Sequence, residues 1–325
     1  MVEGLSIPYI KVLRPGAQSS LQDLGRLGYQ SLGIAEAGAM DRYSLVQANR
    51  LLNNHDNSAA LEITLVGPKL RFERTGTFSL TGADLSAQLD GHPLAPGRVY
   101  RTEPGQVLSF GPRINGMRAY LAVPGGFDAP LVLGSRSTYV YAGFGGLEGR
   151  ALTKGDVLSC LVEPEVGQEL TSLPESFLLP PDGPRVLRVI IGPHEDRFTK
   201  EGIETFFGSS FEVTSESNRM GYRLEGPRIG HTDGPIVVSE ATPLGAVQVP
   251  GQGQPVLLLR ERGTTGGYTK IACIITADID QVGQATPGSR ISFRLVGLKQ
   301  AHHAERERWQ SLDSWRPRIE KKGVK

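Results

Sequence analysis

Residues 60 to 162 are a succession of short β-type runs, LEITLV, LRFER, TFSLTGA, VLSFG and RAYLAV, each bounded by Gly or Pro. Strands so short, spaced so evenly and separated by turn residues cannot be joined by crossover helices. They have to pair with near neighbours as a sandwich or a barrel, not as a parallel sheet. With Gly 41 and Pro 22 and no short period, the composition supplies the turns that such a fold needs. The expected class is all-β with a few short helices.

The second half repeats the pattern. Arg185 to Ile191 and Phe211 to Thr214 read as strands, and residues 236 to 296 hold most of the others. Ala246 to Val249, a Gly/Pro turn and the apolar Pro255 to Leu259 read as a hairpin. Beyond it, Arg260-Glu261-Arg262 and then Thr264-Thr265-Gly266-Gly267-Tyr268 form a charged cluster and a polar, glycine-rich loop. A charged cluster delivered by a strand this apolar points to a site, and paired glycines let a ligand approach the backbone closely.

Helical spacing is confined to a few places. Asp41 is placed to cap a helix carrying Leu45, Ala48 and Leu52 on one face, ended by Asn53-Asn54. Thr199 caps a second, with Phe198 and Ile203 as a hydrophobic staple and Gly208 as its stop. Ser19 to Ile34 reads as a glycine-punctuated loop, and Gln300 to Lys325 as a charged helix with a frayed tail. The proline-rich PESFLLPPDGP at 174–184 marks a boundary. It divides the chain into units 1–178 and 179–300 and a tail 301–325. PGQVLSF at 104–110 resembles PGSRISF at 287–293, with KGDVLS at 154–159 on the same theme, as expected if the units are alike.

Lys+Arg of 35 against Asp+Glu of 34 gives no electrostatic reason to expect nucleic acid or an anionic membrane as partner. No apolar run approaches the ~20 residues needed to span a bilayer, and the N-terminus lacks a long apolar signal region. Cys160 and Cys273, each inside an apolar run, read as buried thiols, not as a disulfide framework. A cytoplasmic protein is expected.

Standard catalytic signatures are missing. There is no His-x-His, His-Glu-x-x-His, Cys-x-x-Cys or Gly-x-Ser-x-Gly, so no metal ligand set is expected. Gly263-Thr-Thr-Gly-Gly-Tyr-Thr-Lys lacks phosphate-loop spacing and leads into a strand-like run, so it has no helix dipole to offer. What remains is a set of polar clusters. Asp23 and Arg26 stand close together in Gln-Asp-Leu-Gly-Arg, a pairing that reads equally well as a loop-fixing salt bridge. Asn218, Arg219 and Arg223 sit in Ser-Asn-Arg-Met-Gly-Tyr-Arg, which suits a planar oxyanion. With Glu240 and Glu261 as acid/base candidates, the inventory fits chemistry on a small amide or carboxylate.

Taken in order, SLQDLGRLGY, GAMDRYSLVQAN, ALEIT, LTGAD, GSRST, SNRMGYRLEGP, GAVQVPGQGQP and TTGGY resemble the biotin-dependent carboxyltransferase, or allophanate-hydrolase-subunit-2-like, family. That family includes the C subunit of the ATP-dependent 5-oxoprolinase, the antagonist of a sporulation-kinase inhibitor, and the carboxyltransferase region of urea carboxylase. The resemblance implies two tandem cyclophilin-like β-barrel units. It also implies work with subunits A and B, the latter a kinase-inhibitor homologue, in ATP-driven opening of 5-oxoproline to glutamate. Its alternatives are carboxyl transfer from biotin carried by another protein, since this chain has no Met-Lys-Met biotinyl lysine, and non-enzymatic antagonism of a kinase-inhibitor homologue. On this reading Asp23, Glu261 and Tyr268 handle protons. Arg26, Asn218, Arg219, Thr264, Thr265, Gly266 and Gly267 hold substrate, and the set converges between the two units. One departure stands out: Glu261-Arg262-Gly263 occupies the place where the family usually has Asp-Arg and a longer polar residue.

Overall fold

IPYIKVLR alternates as a half-buried strand should, and it forms β1 (Ile7–Arg14). A register shift between Pro8 and Ile10 lets the adjacent Tyr9 and Ile10 both turn inward. The computed structural model describes residues 6–163 and 171–315. These are mostly strands, with four α-helices among the described residues. Contacts divide them into two units. The first draws on Met1–Gly25, Asp41–Pro181 and Ser311–Lys325, and the second on Arg26–Met40 and Asp182–Gln310. The boundary at Pro181 lies in the proline-rich stretch, but the division is not the simple succession expected at 178, because residues 26–40 go with the second unit.

The first unit contains β2 (Gln18–Gln22), β3 (Ala60–Thr64), β4 (Lys69–Phe72), β5 (Gly76–Asp84), β6 (Gln88–Leu89) and β7 (His92–Pro93). It continues with β8 (Arg98–Thr102), β9 (Val107–Ser109), β10 (Asn115–Ala122) and β11 (Val157–Cys160). They hydrogen-bond as two sheets, β11-β1-β4-β9-β6-β7 and β2-β3-β10-β5-β8. The core is drawn from both, centred on Tyr9, Phe72 and Phe78 with ring centroids 5.4 and 5.1 Å apart. Helix α1 (Arg42–Leu51) starts where Asp41 accepts the Ser44 N–H, and Leu45 and Ala48 are buried as its spacing requires. The start of the expected Ser19–Ile34 loop is instead β2: Ser19 and Ser20 lie in register with Ile63 and Glu62, so pairing overrides weak local preference.

In the second unit β12 (Arg185–Ile191), β13 (Phe211–Val213), β14 (Gly221–Glu225), β16 (Ala246–Gln248), β17 (Val256–Leu258), β19 (Lys270–Ile274) and β20 (Arg290–Leu295) close a barrel, in the order β12-β19-β16-β17-β14-β13-β20. The β16–β17 pair is the hairpin read from sequence. Outside the barrel, β15 (Ile236–Ala241) and β18 (Thr265–Tyr268) pair as a two-stranded antiparallel ribbon. The expected Thr264–Tyr268 loop is thus a strand, because a partner distant in sequence supplies a ladder that Gly-Gly would not specify alone. Helix α2 (Lys200–Gly208) is capped by Thr199 as expected. Helix α3 (Thr276–Gly283) starts without a side-chain cap and has no start signal in the sequence. Helix α4 (Leu298–Ser314) occupies the charged C-terminal stretch; the tail beyond residue 315 lies outside the described residues. The repeated PGQVLSF, KGDVLS and PGSRISF share one device: Gly105, Gly155 and Gly288 each have a φ of 86–97° and turn the chain into β9, β11 and β20.

Gly192, just after β12, lies so close to β19 that an added Cβ would stand 2.2 Å from the Lys270 carbonyl oxygen. Backbone cannot yield as a side chain can. Gly192→Ala should therefore lower stability by about 1–3 kcal/mol, read as a lower urea midpoint.

Candidate functional site

In the second unit, arginines converge on two carboxylates. Arg219 Nε donates to Glu261 Oε1 at 2.5 Å, its Nη2 donates to the Gly38 carbonyl at 2.6 Å, and the Glu261 N–H returns to the Arg219 carbonyl at 3.0 Å. Both side chains are only 4% exposed. Arg262 Nη2 reaches Glu36 Oε1 at 3.3 Å and Arg260 Nη1 reaches Glu36 Oε2 at 3.6 Å. The backbone repeats the tie, with Ala37 N–H donating to the Arg260 carbonyl. A buried charge is tolerable only when paired and hydrogen-bonded, and here the pairing secures residues 26–40 to the strand ends of the barrel unit.

The ribbon stands next to this lattice. Arg262 Nε donates to the Thr242 carbonyl at 2.8 Å, the Thr242 hydroxyl to the Gly263 carbonyl, and the Thr242 N–H to the Thr264 carbonyl at 3.1 Å. Two residues before Thr242, Glu240 Oε1 accepts from Lys270 Nζ at 2.6 Å and lies 3.3 Å from His194 Nε2. Lys270 N–H donates to His194 Nδ1 at 3.0 Å, so the neutral imidazole carries its proton on Nε2, toward Glu240. The Lys270 side chain is 2% exposed and that of Glu240 is 44% exposed, so the triad joins a desolvated cation to a solvent-reachable carboxylate. The Lys270 hydrogen bond, with the charge of Lys270 behind it, holds the Glu240 carboxyl below its ordinary value against the opposing effect of burial.

The residues expected to form a site fall into four groups. Asp23 lies in the first unit, where its carboxylate accepts from the Ser135 and Ser137 hydroxyls and from Gly25 and Arg136 N–H, at 2.5–2.8 Å. It holds the Gly-Ser-Arg-Ser-Thr loop. Arg219 and Glu261 are brought together as an ion pair, with Arg26 buried in the same unit, its N–H on the Glu36 carbonyl. Asn218 is exposed and turns the chain by accepting the Met220 N–H. Thr264, Thr265, Gly266, Gly267 and Tyr268 run into the ribbon, where Gly266 faces Glu240 and Tyr268 faces Ile236 in the ladder. Sequence reasoning missed His194 and Lys270. The available signal for Lys270 was a lone charge opening the otherwise apolar Lys-Ile-Ala-Cys-Ile; His194 had none. Among the described residues no cluster of three or more His, Cys, Asp or Glu could hold a metal ion. No helix among them is long and apolar enough to cross a membrane.

The carboxyltransferase domain family, subdomains A and B, matches residues 32–295. The chain is 38% identical over 309 residues to the C subunit of the 5-oxoprolinase of Escherichia coli K12, a match covering 94% of this chain and 98% of that protein. To the corresponding C subunit of the Haemophilus influenzae 5-oxoprolinase it is 35% identical over 96% of this chain and 99% of that protein. Among solved structures, the Kluyveromyces lactis urea amidolyase superposes with a TM-score of 0.88 and 34% identity. That match covers 95% of this chain but only 20% of the larger protein.

Two outcomes test the geometry. Arg219→Met strands the buried Glu261 charge and should cost about 3–5 kcal/mol in urea unfolding, whereas Arg219→Met/Glu261→Met should recover part of that loss. A double-variant loss equal to the sum of the Arg219→Met and Glu261→Met losses would mean that the pair is not coupled. Because Glu240 is depressed in the folded state, its stabilising contribution is complete above its unfolded value of about 4.3 and is lost as pH falls through the lower folded value. Hydrogen exchange should show ribbon protection that is flat from neutral pH to about 5 and falls below about 4.3, a step absent in Lys270→Met. A step retained in Lys270→Met would assign it to another carboxylate.

Proposed function

The chain belongs to the carboxyltransferase domain family of subdomains A and B, and on that premise we propose that it is the C subunit of a cytoplasmic, ATP-dependent 5-oxoprolinase. With subunits A and B it opens the lactam of 5-oxoproline to glutamate. The observation that carries this reading is the end-to-end match to the C subunit of the Escherichia coli 5-oxoprolinase, 98% of which is covered.

Opening a lactam places negative charge on the carbonyl oxygen and requires a proton on the departing nitrogen. ATP supplies the driving force in the assembled complex. In this chain Lys270 is a desolvated ammonium suited to an oxyanion, and a cation counts for more there than in water. Glu240, held ionised by Lys270 and reachable from solvent, is suited to take a proton from an attacking water, and His194 Nε2–H orients it. The Thr264 and Thr265 hydroxyls, the Gly266 and Gly267 backbone and the Tyr268 phenol line the strand that faces Glu240. In this assignment Arg219–Glu261 anchors the ribbon's base and Asp23 its own loop, while proton handling falls to Glu240, His194 and Lys270.

The likeness to urea amidolyase favours a second reading, carboxyl transfer from biotin on a separate carrier, in which the same Lys270 would meet a carboxylate. One preparation tests both. Glutamate release from 5-oxoproline and ATP by the chain with its A and B subunits should vanish when this chain is omitted. It should fall at least about 100-fold with Lys270→Met, a variant that folds because the partner left behind, Glu240, is half exposed. Failure of a folded complex to release glutamate, with carboxylation of urea by a carboxybiotin carrier in its place, would install the second reading.

A further inference from the structure

Two cross-strand pairs are stacked at the ribbon. In the barrel wall Gln248 lies opposite Lys270 in the β16–β19 ladder, so their side chains are neighbours. In the ribbon Glu240 lies opposite Gly266. One half of the stack is closed by a charge-assisted bond, Lys270 Nζ to Glu240 Oε1 at 2.6 Å. The other half is not. Gln248 is 7% exposed, and its Nε2 is shut off from solvent with no hydrogen-bond partner. What covers it is Gly266: a Cβ at that position would stand 2.8 Å from Gln248 Nε2 and 3.0 Å from Thr242 Cγ2. Only a residue without a side chain lets the ribbon lie this close.

A buried amide donor without an acceptor is unfavourable, and native proteins rarely retain one without a use. The covering element is also built to separate as a unit. It is a two-stranded ribbon, a form of marginal stability by itself, and it presents Val238 and Ile236, 91% and 71% exposed, on its outer side. We propose that Gln248 is the donor of a subsite for a carbonyl or carboxylate oxygen of a small ligand, with the β15–β18 ribbon as its lid and Lys270–Glu240 as the latch. Raising the ribbon exposes a neutral donor and a cationic donor side by side on the barrel wall, a pair that suits a carboxylate beside an amide. The ligand then satisfies Gln248, which the closed ribbon cannot, and competes with Glu240 for Lys270. The ligand's identity rests on the 5-oxoproline reading; the subsite and its lid do not.

The test uses the assembled complex with wild-type chain, Gln248→Leu, and Gln248→Met, the last keeping the side chain's length as a guard against a packing defect. Hydrogen exchange is followed at residues 236–241 and 265–268 with no ligand, with 5-oxoproline and with urea. Without ligand both variants should protect the ribbon at least as well as wild type, since an unsatisfied donor has been removed. In the wild type one of the two ligands should change ribbon exchange; in both variants that response should be lost, and KM for the active substrate should rise at least tenfold with a smaller change in kcat. Variants that lose ribbon protection without ligand, or that keep wild-type KM and response, would overturn the proposal. So would a wild-type ribbon indifferent to both ligands. A Gln248-dependent response to urea without turnover of 5-oxoproline would uphold the subsite while removing the 5-oxoprolinase reading.

Discussion

A guanidinium taken out of water has to be met on several sides at once, and the second unit is arranged around that demand. Arg219 is met by Glu261 and the Gly38 carbonyl, and Arg260 and Arg262 by Glu36. Replacing such a lattice by apolar side chains would often be no less stable, so net stability is a poor explanation for it. Its effect is positional. It fixes residues 26–40 against the ends of the barrel strands and, through Arg262 and Thr242, sets where the ribbon leaves the barrel. Glu261 fits this role: it lies 2.5 Å from Arg219 Nε while its own N–H holds the Arg219 carbonyl.

From that base the ribbon gains its chemistry by apposition. Neither β15 nor β18 contains a catalytic motif. Laid against β16 and β19, they bring Glu240 onto Lys270 and Gly266 onto Gln248. The desolvation that makes a lysine useful to an oxyanion is the same desolvation that leaves Gln248 without water as an alternative partner. Burial therefore creates both the reactive cation and the frustrated donor, and one moving element governs access to each.

Much of the fold could be read from local signals because those signals are local in the structure too. Asp41 and Thr199 cap the helices they precede, and the Gly/Pro turn at 250–254 joins β16 to β17. Where a strand depends on a distant partner, local reading fails. Thr-Gly-Gly-Tyr has no preference for extended structure, and its partner begins almost thirty residues earlier at Ile236. The same holds for the site. The polar motifs directed attention to the ribbon, but Arg219 read as a substrate group and Glu261 as a proton carrier because their mutual pairing is invisible in the sequence. His194 and Lys270 were missed because 76 residues separate two groups that share a hydrogen bond.

The capture of residues 26–40 by the second unit has a consequence for synthesis. Arg219 meets Gly38 across 181 residues, and Arg262 meets Glu36 across 226. At ribosomal rates of roughly 5–20 residues per second, the early segment emerges on the order of ten to forty seconds before its arginines exist. During that interval Glu36 and the Gly38 carbonyl have no native partner from the barrel, and such long-range closure is intrinsically slow. The nascent chain therefore completes its second unit by reaching back to its own beginning, and its N-terminal half cannot finish folding ahead of the rest.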